Sequence, residues 1–136
     1  MVMIMVKVTI FYPNTADSHF DVDYYLGTHM PLAIGLLGSA VKAVSVEIGL
    51  VGGTPGQLPP FAAICSFTCE TAQAFLDAFL PNAGVLQSDI PKYTNIAPFT
   101  QVSEIRHGAS GVLGAREQSM SSAATQWAPR LSLPSA

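Results

Sequence analysis

The order of apolar repeats along the chain constrains its fold more than any other feature. Four stretches favour strands, because they alternate apolar and polar residues or are rich in β-branched residues; they are residues 2–12, 41–50, 61–67 and 99–106. Residues 20–38 and 69–79 instead repeat apolar side chains at three- and four-residue steps, as helices do. The resulting order β-α-β-β-α-β predicts an α+β fold of the split βαβ type, with a four-stranded antiparallel sheet and both helices on one face. Residues 85–90 are predicted to add a short helical turn.

One face of such a sheet carries no helix, and the composition indicates what covers it. Charged residues make up 11% of the 136 residues and apolar residues 49%, so the chain has difficulty covering an apolar surface with charge. We therefore expect a homodimer, with further association open. The net charge of −3 and six scattered basic residues argue against a nucleic-acid partner.

Several classes of site find no support in the sequence. The apolar run 30–41 is too short to span a bilayer and no signal-peptide pattern precedes it, so we expect a cytoplasmic protein without a membrane partner. Cys65 and Cys69 are predicted to be buried thiols rather than a disulfide or a zinc site. The three histidines lack metal-ligand spacing, and the glycines at 49–56 fit a flexible hairpin better than a phosphate loop, so we expect neither metal nor cofactor.

The first predicted helix, Phe20–Gly38, contains the strongest candidate for a functional residue. Asp21 is a suitable N-cap, and Asp23 adds charge that the helix dipole favours. His29 lies on a mostly apolar face of this helix, and Pro31 predicts a kink or a restart of the helix at residues 28–31. A kink there would free backbone polar groups beside the imidazole.

Three segments together resemble the EthD family of the dimeric α+β barrel superfamily. They are Phe11-Tyr12-Pro13-Asn14, the helical stretch from Tyr24 to Leu32 (YYLGTHMPL), and Tyr93-Thr94-Asn95 with the final strand QVSEI, so that the resemblance covers residues 3–106. It implies a ferredoxin-like fold whose uncovered sheet face packs on a second copy, with a cavity between sheet and helices. Family members occur in ethyl tert-butyl ether degradation clusters and are often labelled oxidoreductases. Related barrels catalyse isomerisation, cyclisation, decarboxylation and cofactor-free oxygenation.

This fold is expected to bring the candidate site residues together. We predict that His29, Tyr93 and Asn95 are catalytic, since an imidazole can accept a proton while phenol and amide groups hold a developing oxyanion. The predicted substrate-binding residues are Tyr12, Tyr25, Met30, Gln101 and Ser103. The alternatives are that His29 is a core residue bonded to a carbonyl freed by Pro31, and that Gln101 and Ser103 lie at the dimer seam.

Residues 1–107 are predicted to form the EthD-like domain and residues 108–136 a low-complexity tail. Either the tail covers a neighbouring subunit, anchored by Trp127, or it has no such role. The function that we predict is oxidoreductase-type or proton-transfer chemistry on a small hydrophobic or aromatic molecule. The alternatives are a binding module that sequesters such a molecule for a partner oxygenase, and a protein that only serves assembly.

Overall fold

The computed structural model describes residues 4–108, in which strands and helices follow the predicted order. Strands β1 (Val6–Pro13), β2 (Ala43–Ile48), β3 (Phe61–Cys69) and β4 (Phe99–Glu104) form an antiparallel sheet in the order β2-β3-β1-β4. The first helical region consists of α1 (Val22–Tyr24), a π-helical turn (Tyr25–His29) and α2 (Met30–Leu37); the second consists of α3 (Ala72–Phe79) and α4 (Ala83–Asp89). Short 3-10 turns follow at Gly38–Ala40, Leu80–Asn82 and Ile90–Lys92. The prediction of a ferredoxin-like α+β fold is confirmed.

The strand register assigns each residue to one of the two sheet faces. Val8 lies opposite Phe67 and Val102, and Val8 and Phe67 are buried in the core with the helices. Thr9, its neighbour, lies opposite Ser66 and Gln101 on the other face. Since side chains alternate along a strand, one face packs under the helices and the other carries no helix.

The kink predicted near Pro31 takes the form of the π-helical turn. The backbone N–H of Met30 donates to the carbonyl of Tyr25, five residues earlier, and Pro31 follows within the first turn of α2. Proline lacks an N–H and crowds the preceding turn, so the wider π turn is the local response of the helix. It places Tyr25 and His29, both buried, on the core side.

The second helix begins later than predicted. It was predicted to begin at residue 69, but Thr68 and Cys69 belong to β3, and Thr68 pairs with both Lys7 and Ala43. Pairing on two sides holds this segment in the sheet. The N-cap is Thr71, whose hydroxyl accepts a hydrogen bond from the N–H of Ala74 at 2.9 Å.

The remaining boundaries differ less from the prediction. The short helical turn predicted at 85–90 is α4, which begins at Ala83 and ends at Asp89. The first strand was predicted from Val2, but β1 begins at Val6, and residues 1–3 lie outside the described part. The predicted tail, including Trp127, also lies outside it except for Gly108. Within residues 4–108, no helix is long and apolar enough to cross a membrane.

The loop of residues 50–59 is held by its own hydrogen bonds. The N–H of Gly52 donates to the carbonyl of Gln57 at 2.7 Å, and the N–H of Gln57 donates to the carbonyl of Thr54 at 3.0 Å. Gly56 has a φ of 82°, a conformation that favours glycine. This loop is longer than a tight turn, as the glycines and proline predict.

Asp21 is the N-cap of α1, as predicted, and its contribution can be measured. Its carboxylate accepts a hydrogen bond from the N–H of Tyr24 at 3.1 Å. We expect Asp21→Ala to lower the free energy of unfolding by about 1 kcal/mol in urea titrations. Asp23→Ala is the matched control, because Asp23 interacts with the helix dipole without capping, and should cost only about 0.3–0.5 kcal/mol. Equal losses from the two variants would contradict the capping role.

Candidate functional site

A cavity of about 340 Å³ lies between the sheet and the helices. The sheet contributes Ile10, Cys65 and Val102 to its wall, and the helices contribute Met30, Phe75 and Leu86. The wall is mostly apolar, and the volume of the cavity lies at the lower end of the range for small-molecule binding sites. The polar groups in the wall therefore decide what chemistry the cavity supports.

His29 lines this cavity and is paired with a buried carboxylate. Its Nδ1 lies 2.9 Å from Oδ2 of Asp89, and the two residues are only 7% and 6% exposed. His29 ends the π-helical turn and Asp89 ends α4, so the meeting of two helical segments creates the pair. An ionised carboxylate only accepts hydrogen bonds, so Nδ1 carries the proton in the neutral ring and Nε2 carries the free lone pair.

Nε2 of His29 is accessible. Within residues 4–108, the imidazole of His29 makes one hydrogen bond, through Nδ1. In the same residues, every fully buried side-chain nitrogen or oxygen has a hydrogen-bond partner. Nε2 must therefore have accessible surface, and His29 is a residue of the cavity wall. His29 thus contributes to the cavity wall, and its Nε2 is not fully buried.

Asp89 has two further partners that keep it ionised. The hydroxyl of Tyr24 donates to Oδ1 at 2.8 Å, and Nζ of Lys92 lies 3.6 Å from the same oxygen. Burial raises the pKa of Asp89, but the hydrogen bonds from His29 and Tyr24 and the nearby positive charge outweigh it and lower the pKa below its ordinary value. The carboxylate is therefore charged at neutral pH and can stabilise an imidazolium.

A cluster of tyrosines surrounds the imidazole. The hydroxyls of Tyr12 and Tyr93 are 2.7 Å apart, and the ring of Tyr93 lies 4.7 Å from that of His29, centroid to centroid. Tyr25 stacks on His29 at 5.6 Å. Burial raises the pKa of Tyr12, Tyr25 and Tyr93, so all three remain phenols at neutral pH. Because one O–H proton of a hydroxyl pair is not used within it, the Tyr12–Tyr93 pair retains a donor.

The two cysteines are free and buried, as predicted. Cys65 lines the cavity, and its thiol lies 3.9 Å from the sulfur of Met30. Burial raises the pKa of the Cys65 thiol to about 11, so this thiol is protonated at neutral pH and unsuited to nucleophilic attack. Among residues 4–108, no three histidine, cysteine or acidic side chains are grouped to hold a metal ion.

Comparison with known proteins identifies the family. The model of the EthD domain matches residues 14–97, which is more than half of the chain. The chain belongs to the EthD family. An EthD-like protein from Ralstonia eutropha JMP134 is 39% identical, with a TM-score of 0.76 over 80% of this chain and 98% of that one. An ethyl tert-butyl ether d (EthD) family protein from Bacillus halodurans C-125 is 17% identical, with a TM-score of 0.50 over 71% of this chain and 98% of that one, and supports the fold alone. No curated protein matches the sequence.

The EthD fold brings five of the eight predicted site residues together. Tyr12, Tyr25, His29 and Met30 line the cavity. Tyr93 is not a residue of the cavity wall, but its ring packs against His29 and its hydroxyl is hydrogen-bonded to that of Tyr12. The hydroxyl of Tyr24, the neighbour of Tyr25 in the chain, donates to Asp89.

Asn95 is not brought to the cavity wall. Its Oδ1 accepts a hydrogen bond from the N–H of His19 at 2.9 Å, and its Nδ2 donates to the carbonyl of Asp17 at 2.8 Å. The hydroxyl of Thr94 donates to the carbonyl of His19 at 2.6 Å. These three bonds fix the loop that follows β1, so the contacts of Asn95 are those of a loop-anchoring residue.

Gln101 and Ser103 lie on the other sheet face. Nε2 of Gln101 donates to the hydroxyl of Ser103 at 2.9 Å. The residues of β4 that line the cavity are Thr100 and Val102, which alternate with them. The two predicted binding residues are therefore on the sheet face that carries no helix and do not line the cavity.

Asp89 is the residue that sequence reasoning missed. It was included in a short helical turn of no assigned role. A signal was present, because Asp89 is an acidic residue at the C-terminal end of a helix, where the helix dipole disfavours negative charge. An acid in that position, in a chain with only nine acidic residues, indicates a compensating partner elsewhere in the fold.

Proposed function

We propose that this EthD-family chain is a small homodimeric enzyme that catalyses proton transfer on a small apolar or aromatic molecule, with His29 as the general base. The observation that carries this proposal is the position of His29, which lines an apolar cavity while its Nδ1 is bonded to Asp89. A core histidine with no chemical role does not need an accessible Nε2. The apolar wall supports an apolar substrate.

The pair of residues has the properties that a general base needs. Nε2 accepts a proton from an acidic C–H or O–H bond of the substrate, and the electron pair of that bond stays on the substrate. The imidazolium that forms is held by the Asp89 carboxylate, while Tyr12 and Tyr25, which line the same cavity, are the proposed hydroxyl donors to the developing anion. Such an anion is also the species from which oxidation by molecular oxygen starts, so the oxidoreductase-type alternative shares this step.

Identifying the ligand and comparing two cavity variants tests the proposal. Mass spectrometry of molecules that co-purify with the protein, followed by a turnover and competition screen with phenols and lactones, supplies a substrate. We expect His29→Gln to lower turnover about 10²–10⁴-fold. Met30→Leu is the matched control, since it changes the adjacent wall residue with little change in volume, and turnover should fall far less than in His29→Gln.

The binding-module alternative gives a different result. A carrier would retain its ligand through purification and show no turnover. Its His29→Gln and Met30→Leu variants would bind the ligand with equal affinity. Turnover unaffected by His29→Gln would also refute the proposed role of the imidazole. Circular dichroism and thermal unfolding confirm that each variant is folded.

The homodimer is proposed from the sheet face that carries no helix. Phe11, Phe61 and Phe99 form an aromatic cluster on it, with ring centroids 5.2–6.2 Å apart, and Phe99 is 51% exposed. An exposed aromatic cluster on a sheet face is a common site of association. A second copy of the chain is the occupant that the low content of charged residues supports.

A charge placed on this face should prevent dimerisation. We expect Phe99→Asp to shift the protein from dimer to monomer in light scattering after gel filtration at micromolar concentration, because a carboxylate would be buried without a partner. Val85→Asp is the matched control, since Val85 is 52% exposed on α4 and not on the sheet. A wild-type monomer, or equal effects of the two variants, would contradict the proposed interface.

A further inference from the structure

Among residues 4–108, no side chain that lines the cavity carries a fixed charge. In the part of the chain that the structure describes, its titratable residues are Tyr12, Tyr25, His29 and Cys65, and no lysine, arginine, aspartate or glutamate lines it. Burial raises the pKa of both tyrosines and of the thiol, so these three groups are neutral. Nothing in the wall is a permanent partner for an anionic ligand.

The carboxylate of Asp89, which contacts His29 but does not line the cavity, is paired with a positive charge. Asp89 is ionised, and its charge is met by Lys92, whose Nζ lies 3.6 Å from Oδ1. When the His29 ring is neutral, the three residues together carry no net charge. Transfer of a proton from an uncharged ligand to Nε2 leaves the net charge of the site unchanged, because one imidazolium and one ligand anion form together.

We propose that the ligand enters the cavity uncharged and carries one acidic O–H or C–H group, as a phenol or an enolisable ketone does. This inference rests on the proposed function and names the substrate class of the same site. In the step, the O–H or C–H bond breaks, an N–H bond forms at Nε2, and the electron pair remains on the oxygen or is delocalised as an enolate.

Carboxylates and phosphates are disfavoured by the same arrangement. An anion in the cavity would lose its hydration, and burying a charge without a paired partner is costly. Among the described residues of the wall, protonated His29 is the one cation that could pair with such an anion. Its Nδ1 already lies 2.9 Å from the carboxylate of Asp89. The site therefore selects against a ligand that is already ionised and favours one that ionises on the imidazole.

Three probes of nearly equal size separate charge from acidity. They are para-nitrophenol, para-nitroanisole, which has no acidic proton, and para-nitrobenzoate, which is an anion. At a pH below the pKa of the free phenol, we expect the phenol and the anisole to bind with similar affinity and the benzoate at least about ten-fold more weakly. Bound para-nitrophenol should show the visible absorption of the phenolate, and His29→Gln should abolish that absorption while the anisole still binds.

A variant that gives the wall a cation supplies a gain of binding. Gln87 lines the cavity and is exposed on α4, so a lysine at this position can reach the wall from solvent. We expect Gln87→Lys to raise the affinity of para-nitrobenzoate about ten-fold and to leave that of para-nitroanisole unchanged. Gln87→Met, of similar length and without charge, is the control and should change neither.

The results distinguish the inference from the proposed function. Binding of para-nitrobenzoate to the wild-type protein as tightly as para-nitroanisole overturns the inference, whatever the spectrum of the bound phenol. Selective binding of the neutral probes with no phenolate absorption in the wild-type protein refutes proton transfer to His29 and leaves the charge selectivity standing. Failure of all three probes to bind overturns the inferred ligand class.

Discussion

Asp89→Ala is expected to lower the free energy of unfolding by about 3 kcal/mol, because it removes one partner of a buried pair. The variant leaves the Nδ1 proton of His29, which is 7% exposed, and the hydroxyl of Tyr24 without their acceptor. One contribution runs the other way, since Asp89 ends α4 and removing its charge relieves an unfavourable helix-dipole interaction worth about 0.3–1 kcal/mol. The loss of the buried partner has the larger effect on the free energy of unfolding, so the net result is a less stable variant.

The matched control for this variant is Asp77→Ala. Asp77 also lies on a helix and also accepts a side-chain hydrogen bond, from Gln73 at 2.8 Å, but it is exposed. Its removal should cost only about 0.2–0.5 kcal/mol in urea unfolding at a fixed chain concentration. Similar losses from Asp89→Ala and Asp77→Ala would show that the His29–Asp89 pair contributes little to stability.

Asp89→Asn separates the chemical role of the carboxylate from its structural one. The amide keeps the shape of the side chain, but it presents an N–H₂ donor where one carboxylate oxygen accepted. The imidazole can then accept that hydrogen bond at Nδ1 and carry its proton on Nε2, which removes the base. We expect turnover to fall about 10²–10⁴-fold while an uncharged ligand still binds.

The contribution of Asp89 should disappear in acid. Its pKa is lower in the folded chain than its ordinary value of 3.8, so its stabilisation is present above that value and is lost as the pH falls through the lower, folded value. The difference in free energy of unfolding between wild type and Asp89→Ala should therefore shrink as the pH falls below about 4. A difference that persists in strong acid would mean that the charge of Asp89 is not what stabilises the pair.

Tyr93→Ala is expected to be more disruptive still, with a loss of about 3–5 kcal/mol. The side chain is 1% exposed, and its ring contacts those of Phe20, Tyr25 and His29 with centroids 4.7–5.4 Å apart. Removing it leaves a cavity where several rings meet. Thermal and urea unfolding measure the loss directly.

Tyr93→Phe is the control that divides this loss into ring and hydroxyl. It keeps the ring and removes the hydroxyl that lies 2.7 Å from that of Tyr12, so it should cost about 1 kcal/mol. The hydroxyl is a bonding partner for Tyr12 and lies behind the wall, so turnover should fall less in Tyr93→Phe than in His29→Gln. Equal stability losses from the alanine and phenylalanine variants would show that the hydroxyl, and not the packing, is what matters.

The fold could be predicted from the sequence because the information for it is local. Alternation over a few residues distinguishes strands from helices, and six such segments in this order allow few arrangements. The kink beside His29 was predictable for the same reason, since the missing N–H of Pro31 acts within its own helix. The boundary between β3 and α3 was not, because Thr68 is held by strands that are distant in sequence, Lys7 on one side and Ala43 on the other.

The candidate site was predictable only in part. His29, Tyr12 and Tyr25 have residue types that indicate chemistry, and the family motif contains them. Gln101 and Ser103 were placed in the pocket, but a shift of one residue along a strand changes the face, and the pairing of β4 with β1 determines which residues point under the helices. Asn95 has the chemistry of an oxyanion donor, yet its neighbours in space are the carbonyl of Asp17 and the N–H of His19.

Local patterns in the sequence thus specify the helices, the strands and the family, since each depends on residues that are close along the chain. The partner of the imidazole is different. Asp89 is 60 residues away from His29 in sequence and meets it at 2.9 Å because the π-helical turn and the end of α4 lie side by side. That meeting depends on how side chains pack across the core, and the proposed role of His29 as a base rests on it.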